Sequence, residues 1–280
     1  MRKIEKREDF EQEADVPIID IIRHTETEYK ENPKKVFPPP KETLDVNAPG
    51  FALDEDHLDL TERGIEQMRE TAQQLDEMID KKNEVLLLVS SPALRAHASA
   101  LVLEKELRDR GVQFLNLPQD VRVIETMAHH DAIAGRGVAR VKDADISQAI
   151  NKRRRAMETD SFEMQDLNFH RFVRHMANIY QWLKPETKEQ LKGKRLRVVC
   201  ISHDEATMEF RGDVFAPDDP NHPFAVKMGH GQILEVKPHA QLKPGQETPA
   251  SVRIVEKGAH QERIEYVKLG FEPPKPVRQE

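Results

Sequence analysis

Three short apolar runs constrain this chain most: IIDII starting at Ile18, EVLLLVSS from Glu84 to Ser91, and the VVCIS segment of KRLRVVCISHD around Cys200. Each is continuous rather than alternating and too short for a buried helix, which is the pattern of a strand covered on both faces. Helical periodicity fills the gaps. Thr61 is placed to N-cap a helix carrying Ile65, Met68, Leu75, Met78 and Ile79, and Pro92 opens a helix through Arg110 that Gly111 stops. Phe162 to Leu183 repeats Phe169, Phe172, Val173, Met176, Ile179, Tyr180 and Leu183 on one stripe, with Pro185 ending it. A weaker strand is expected at Val121 to Ile124, and later strands at GQILEVKP and SVRIVEK. This alternation predicts an α/β fold, a three-layer α/β/α sandwich with a mainly parallel central sheet.

The 280 residues suit one core domain over residues 16–272, between a charged N-terminal arm (1–15) and a Pro-rich tail (273–280). Two stretches interrupt it as expected loop or lid insertions, near 25–60, which holds FPPPKETLDVNAPG, and near 125–160. No apolar stretch reaches the roughly 20 residues of a membrane span, and MRKIEKREDFEQEAD lacks the apolar region of an export signal, so a cytoplasmic protein with no membrane partner is expected. The net charge of -7 argues against a general nucleic-acid binder, although NKRRR (Asn151 to Arg155) is a local basic cluster. The single cysteine, Cys200, excludes an internal disulfide and reads as a buried small hydrophobe.

In a parallel sheet, ligands bind beyond the carboxyl ends of the strands. Three such ends are polar in the same way: Arg23-His24, Ser90-Ser91-Pro92 with Arg95, and Ser202-His203-Asp204. Two arginines offer planar forks to oxygen pairs, two imidazoles sit beside them, and the helix opening at Pro92 offers free N–H groups. The set suits a dianionic phosphate.

RHTET, LTERG, SSPALRA and SHDEAT also resemble, in order and spacing, the four landmarks of the histidine phosphatase superfamily, in its phosphoglycerate mutase-like branch. The similarity runs from about Ile18 to Lys237. The resemblance implies a phosphomonoester hydrolase acting on a small phosphorylated substrate without metal or organic cofactor. By it His24 is the nucleophile, and Arg23, Arg95 and His203 grip the phosphoryl oxygens. Ser91 would add a contact at the helix start. The proton for the leaving oxygen has two candidate donors: Glu125, at the mutase-like position and favoured, and Asp204, which makes the His-Asp pair of the acid phosphatase branch. A phosphoglycerate mutase-type transferase and a catalytically weak phospho-ligand binder are the alternatives.

The chain departs from the family pattern in several places. Thr25 stands where glycine usually follows the histidine, giving RHT for RHG, and either crowds the phosphate or donates a hydrogen bond to it. Lys30 replaces a common asparagine, His97 an arginine, and Ala98-Ser99 a Glu-Thr pair. His129-His130-Asp131 lacks a recognised metal-ligand spacing; His129 is read as a pocket wall near the leaving group, and a metal-dependent hydrolase built on this cluster is the third alternative. His170 and His175 share no helix face well and read as structural.

Overall fold

The computed structural model describes residues 15–27, 60–91, 94–115, 172–204, 207, 210–212, 228–242, 248–255 and 263–269, with 94 and 263–269 given by backbone alone. The elements are β1 (Ile18–Arg23), α1 (Glu62–Met78), β2 (Glu84–Ser90), α2 (Leu94–Asp109), α3 (Pro185–Leu191), β3 (Arg195–Ser202), β4 (Ile233–Pro238), β5 (Thr248–Val255) and β6 (Arg263–Leu269). They build one sheet in the order β2-β3-β1-β4-β5-β6.

The three apolar runs form its centre, and their side chains alternate between two cores. Ile19, Ile21, Val85, Leu87, Val89, Leu196, Val198 and Cys200 enter one core with Phe172, Val173, Met176 and Phe210. Ile22, Leu86, Leu88, Val199 and Ile201 enter the other with Met68, Leu75, Leu103 and Leu107 of α1 and α2. Helices therefore cover the central strands on both faces, which is why these strands are apolar without alternation. Among the described residues, no helix is long and apolar enough to cross a membrane.

The sheet is mixed, not mainly parallel. β2, β3 and β1 run parallel, whereas β1–β4, β4–β5 and β5–β6 are antiparallel. The connections 239–247 and 256–262 are shorter than the dozen or so residues that a parallel crossover needs. The burial of β5 alternates between buried and half-buried positions, so among the described residues one face is covered more deeply than the other. β6, in RIEYVKL, had no counterpart in the expected elements. Pro185 also does more than end a helix: after an α-helical 172–177 and a 3₁₀ turn at Ile179–Gln181, it opens α3 from its first turn. The expected strand at Val121–Ile124 lies outside the described residues, as does the first part of the helix expected from Phe162.

A buried ionic row crosses the sheet on the α1 side. Arg197 Nε binds Glu84 Oε2 at 2.7 Å, and its Nη1 binds Asp20 Oδ2 at 2.9 Å and Glu235 Oε2 at 3.0 Å. Its Nη2 reaches the Met78 carbonyl at 3.3 Å, supplying a cation at the C-terminus of α1, whose last turn has no basic residue. Asp20 pairs directly with Glu235, which pairs with Arg253 on the next strand. Burial outweighs the Arg197 attraction at Asp20, and with Glu235 opposite it the carboxyl is pushed up from 3.8 to about 6. Glu235 is held below its ordinary range despite burial, by Lys237, Arg197 and Arg253.

Folding raises the proton affinity of Asp20, so its contribution to stability is fully present below its unfolded pKa and is lost as pH rises through about 6. At about 1.4 kcal/mol per unit, the stability of the wild type relative to Asp20→Asn should fall by about 2–3 kcal/mol between pH 4 and pH 7. Urea unfolding of both proteins at the two pH values checks this. A constant difference, or one that grows with pH, overturns the assignment.

Candidate functional site

The strand ladders continue past the ends of the strands and hold the polar residues in register. His24 N–H donates to the Ser202 carbonyl at 2.9 Å, and Ser91 N–H to the Ile201 carbonyl at 3.0 Å. Arg23 pairs with Ser202 in the β1–β3 register, so His24 and His203 fall side by side. Their ring centroids are 5.1 Å apart in an edge-on arrangement. Arg23, His24, Ser91, Arg95, His203 and Asp204 are all buried.

Hydrogen bonds fix the state of the His24 ring. Nδ1 lies 2.8 Å from the Thr25 carbonyl, which can only accept, so Nδ1 carries the proton. Arg95 Nε, which can only donate, faces Nε2 at 3.2 Å, so Nε2 presents a lone pair. The imidazole is thus neutral, with its basic nitrogen toward a guanidinium. His203 Nε2 lies 2.9 Å from Ser91 Oγ. Arg23 Nη1 donates to the Met228 carbonyl, while its Nε is buried without a hydrogen-bond partner among the described residues. A buried donor of this kind is costly until an acceptor meets it.

Asp204 is occupied differently. Its Oδ1 accepts from Arg211 Nη2 at 2.8 Å and from Met228 N–H at 2.9 Å, so it ties the turn at Met228 to the segment after β3. Burial lowers the Arg211 pKa, and Arg23 adds to that lowering, against the raising effect of Asp204. Thr25 is tied to α2: its N–H and hydroxyl meet Ser99 Oγ at 3.3 and 3.4 Å. Thr25 and Ser99, remote in the chain, thus meet beside the end of β1. His97 Nδ1 lies 3.5 Å from Ser90 Oγ.

The second landmark, LTERG, serves as a clip. Thr61 Oγ1 accepts from Gly64 N–H at 2.9 Å as the N-cap of α1, and donates to Glu26 Oε1 at 2.9 Å. Glu26 N–H donates to Gln67 Oε1 at 3.1 Å, and Thr61 N–H to the Glu26 carbonyl at 3.3 Å. The first residues after His24 are therefore fastened to the start of α1, and the Glu26 carbonyl lies where a Cβ at position 64 would be.

One further residue reaches the site. His230, in the turn MGHGQ before β4, has its ring 5.9 Å from that of His24. The only advance signal was a histidine between two glycines at a strand entry, and Gly231 indeed takes a φ of 71°. Lys30, Glu125, His129, His130, Asp131, His170, Pro92 and the NKRRR cluster lie outside the described residues. His175 stacks on the exposed Trp182 with centroids 6.0 Å apart. Among the described residues, no group of three histidine, cysteine or carboxylate side chains is arranged to hold a metal ion.

No family model matches the chain, and no curated protein matches it. Among solved structures it is similar to a mycobacterial hydrolase, at 16% identity over 87% of this chain and 99% of that one, with a TM-score of 0.45. A mycobacterial glucosyl-3-phosphoglycerate phosphatase matches at 14% identity over 80% and 91% of the two chains, with a TM-score of 0.40. A phosphoglycerate mutase from Plasmodium falciparum matches at 13% identity over 90% and 99%, with a TM-score of 0.42. At these scores the likeness carries no argument about chemistry, and the site stands on its own geometry.

The clip gives a test in which local and tertiary preferences oppose each other. Gly64→Ala raises helix propensity, yet the new methyl meets backbone that cannot yield; it should destabilise the protein by about 1–3 kcal/mol. Thermal unfolding measures it, and a neutral or stabilising result would remove the clip.

Proposed function

We propose that the chain is a phosphomonoester hydrolase that passes the phosphoryl group through His24. The observation that carries this reading is a neutral, buried imidazole whose lone pair at Nε2 faces Arg95 at 3.2 Å, with the His203 ring alongside. A phosphate dianion entering there draws the Arg95 guanidinium from Nε2 to a phosphoryl oxygen, which releases the lone pair for in-line attack. Arg23, with its spare Nε–H, and His203, braced by Ser91, complete the grip on the remaining oxygens. The carbonyl of Thr25 steadies the ring as positive charge develops on it. Water then attacks the phosphohistidine and restores neutral His24.

The Thr25 hydroxyl, 3.4 Å from Ser99 Oγ, borders this site from the α2 side. Of the two carboxylic acids the sequence offers for the leaving-group proton, Asp204 is already committed to Arg211 and to the Met228 N–H. The substrate is a small phosphate ester, the site needs no metal or organic cofactor, and a cytoplasmic setting suits the single buried thiol.

Turnover of p-nitrophenyl phosphate tests the reading. Activity should survive EDTA and fall by at least ~10³-fold in His24→Ala, and acid-quenched protein should give an acid-labile, alkali-stable phosphoryl linkage lost in that variant. Activity that disappears with chelator, or persists without His24, rejects the phosphohistidine route.

A further inference from the structure

We infer that His230 is the acid–base group of this site, protonating the leaving oxygen and afterwards taking a proton from the attacking water. This rests on the phosphatase reading above. Arg95 Nε faces His24 Nε2 at 3.2 Å, the rings of His203 and His230 lie 5.1 and 5.9 Å from that of His24, centroid to centroid, and Arg23 immediately precedes it in the chain. The arginines stay protonated throughout and serve as fixed charges. His203 is fully buried and its Nε2 is hydrogen-bonded to Ser91 Oγ, which makes it part of the floor. His230 is the half-buried ring of the set. Of these rings His230 is the least buried, which leaves it the most room beside a leaving group, and imidazole is the side chain best matched to proton exchange near neutral pH.

The backbone around His230 is held as firmly as a strand. Gly231 N–H donates to the Arg23 carbonyl at 3.0 Å, and Arg23 N–H to the Gln232 carbonyl at 3.3 Å. Thr71 Oγ1 on α1 donates to the Gly231 carbonyl at 2.8 Å, and Gly229 N–H to Gln232 Oε1 at 2.8 Å. Met228, at the head of the turn, accepts from Arg23 and donates to Asp204. The turn is thereby bonded to the end of β1, to α1 and to the segment after β3, and the His230 ring is carried to a fixed place beside His24.

The step balances as follows. The lone pair of His24 Nε2 forms the N–P bond while the P–O bond to the leaving group breaks. The oxygen takes its proton from the His230 imidazolium and departs as an alcohol. Neutral His230 then accepts a proton from water as the new P–O bond forms and N–P breaks, returning inorganic phosphate, neutral His24 and protonated His230.

The test compares 2,4-dinitrophenyl phosphate, whose leaving group needs no proton, with phenyl phosphate, whose leaving group does. In His230→Ala and in the closer-sized His230→Asn, kcat/KM, which counts only the steps up to loss of the leaving group, should fall by about 10²–10⁴-fold for phenyl phosphate and by less than about fivefold for dinitrophenyl phosphate. Retained turnover of the activated ester also shows that the variants fold. Added imidazole should restore part of the phenyl phosphate activity of His230→Ala. Equal losses of kcat/KM on both esters, no loss on either, or the selective loss appearing in Glu125→Gln and not in the His230 variants overturns the assignment while leaving the phosphatase reading intact. A wild-type protein that turns over neither ester removes that reading, and this inference with it.

Discussion

The register of β1 against β3 is the constraint on which the rest of the structure depends. With Arg23 opposite Ser202, the first residues beyond the two strands are both histidines, and the His24 N–H extends the ladder by one more bond. Side chains alternate along a strand, so a slip by one residue would exchange the two apolar cores and turn both imidazoles away from each other. The cores are unequal partners in preventing this. Ile19 and Ile21 lock one face, whereas on the other Asp20 must find Arg197, a demand that a slipped strand cannot meet.

That second lock has a thermodynamic cost. Three buried carboxylates surround the buried Arg197, with the half-buried Arg253 at the edge, and an ionic cluster of this kind is often no more stabilising than apolar residues of the same volume. Its value lies in specificity. Each strand from β2 through β5, with β3, β1 and β4 between, contributes one charged residue to the row, so the order of the sheet is written in charge as well as in hydrophobicity. The raised proton affinity of Asp20 is the residue of that compromise.

Much of this was legible in the chain itself. The central strands were visible because burial on both faces leaves an unbroken apolar run, and α1 because its N-cap and stripe agree. The antiparallel half was misjudged because β4 and β5 share the same β-branched composition as the parallel strands, and direction is set by connection length instead. β6 hid in RIEYVKL, whose charges gave no clear strand signal. The strand-end residues announced themselves by polarity after apolar runs, but His230 precedes its strand; on an antiparallel strand the entry, not the exit, reaches the same edge. Asp20, alone in an isoleucine run, offered no partner by sequence distance, since Arg197 and Glu235 are remote in the chain.

The resting contact between Arg95 and His24 has one more consequence. A lone pair that already accepts a hydrogen bond from a cation is a poor base and a poor target for uncharged electrophiles, and such molecules offer the guanidinium nothing in exchange for moving. Only a visitor carrying concentrated negative charge competes for that cation, so the same displacement that secures the visitor also bares the nitrogen. In the proposed reaction, attack is thereby gated by charge before shape is consulted, and at rest the nucleophilic nitrogen of that proposal stays sheathed.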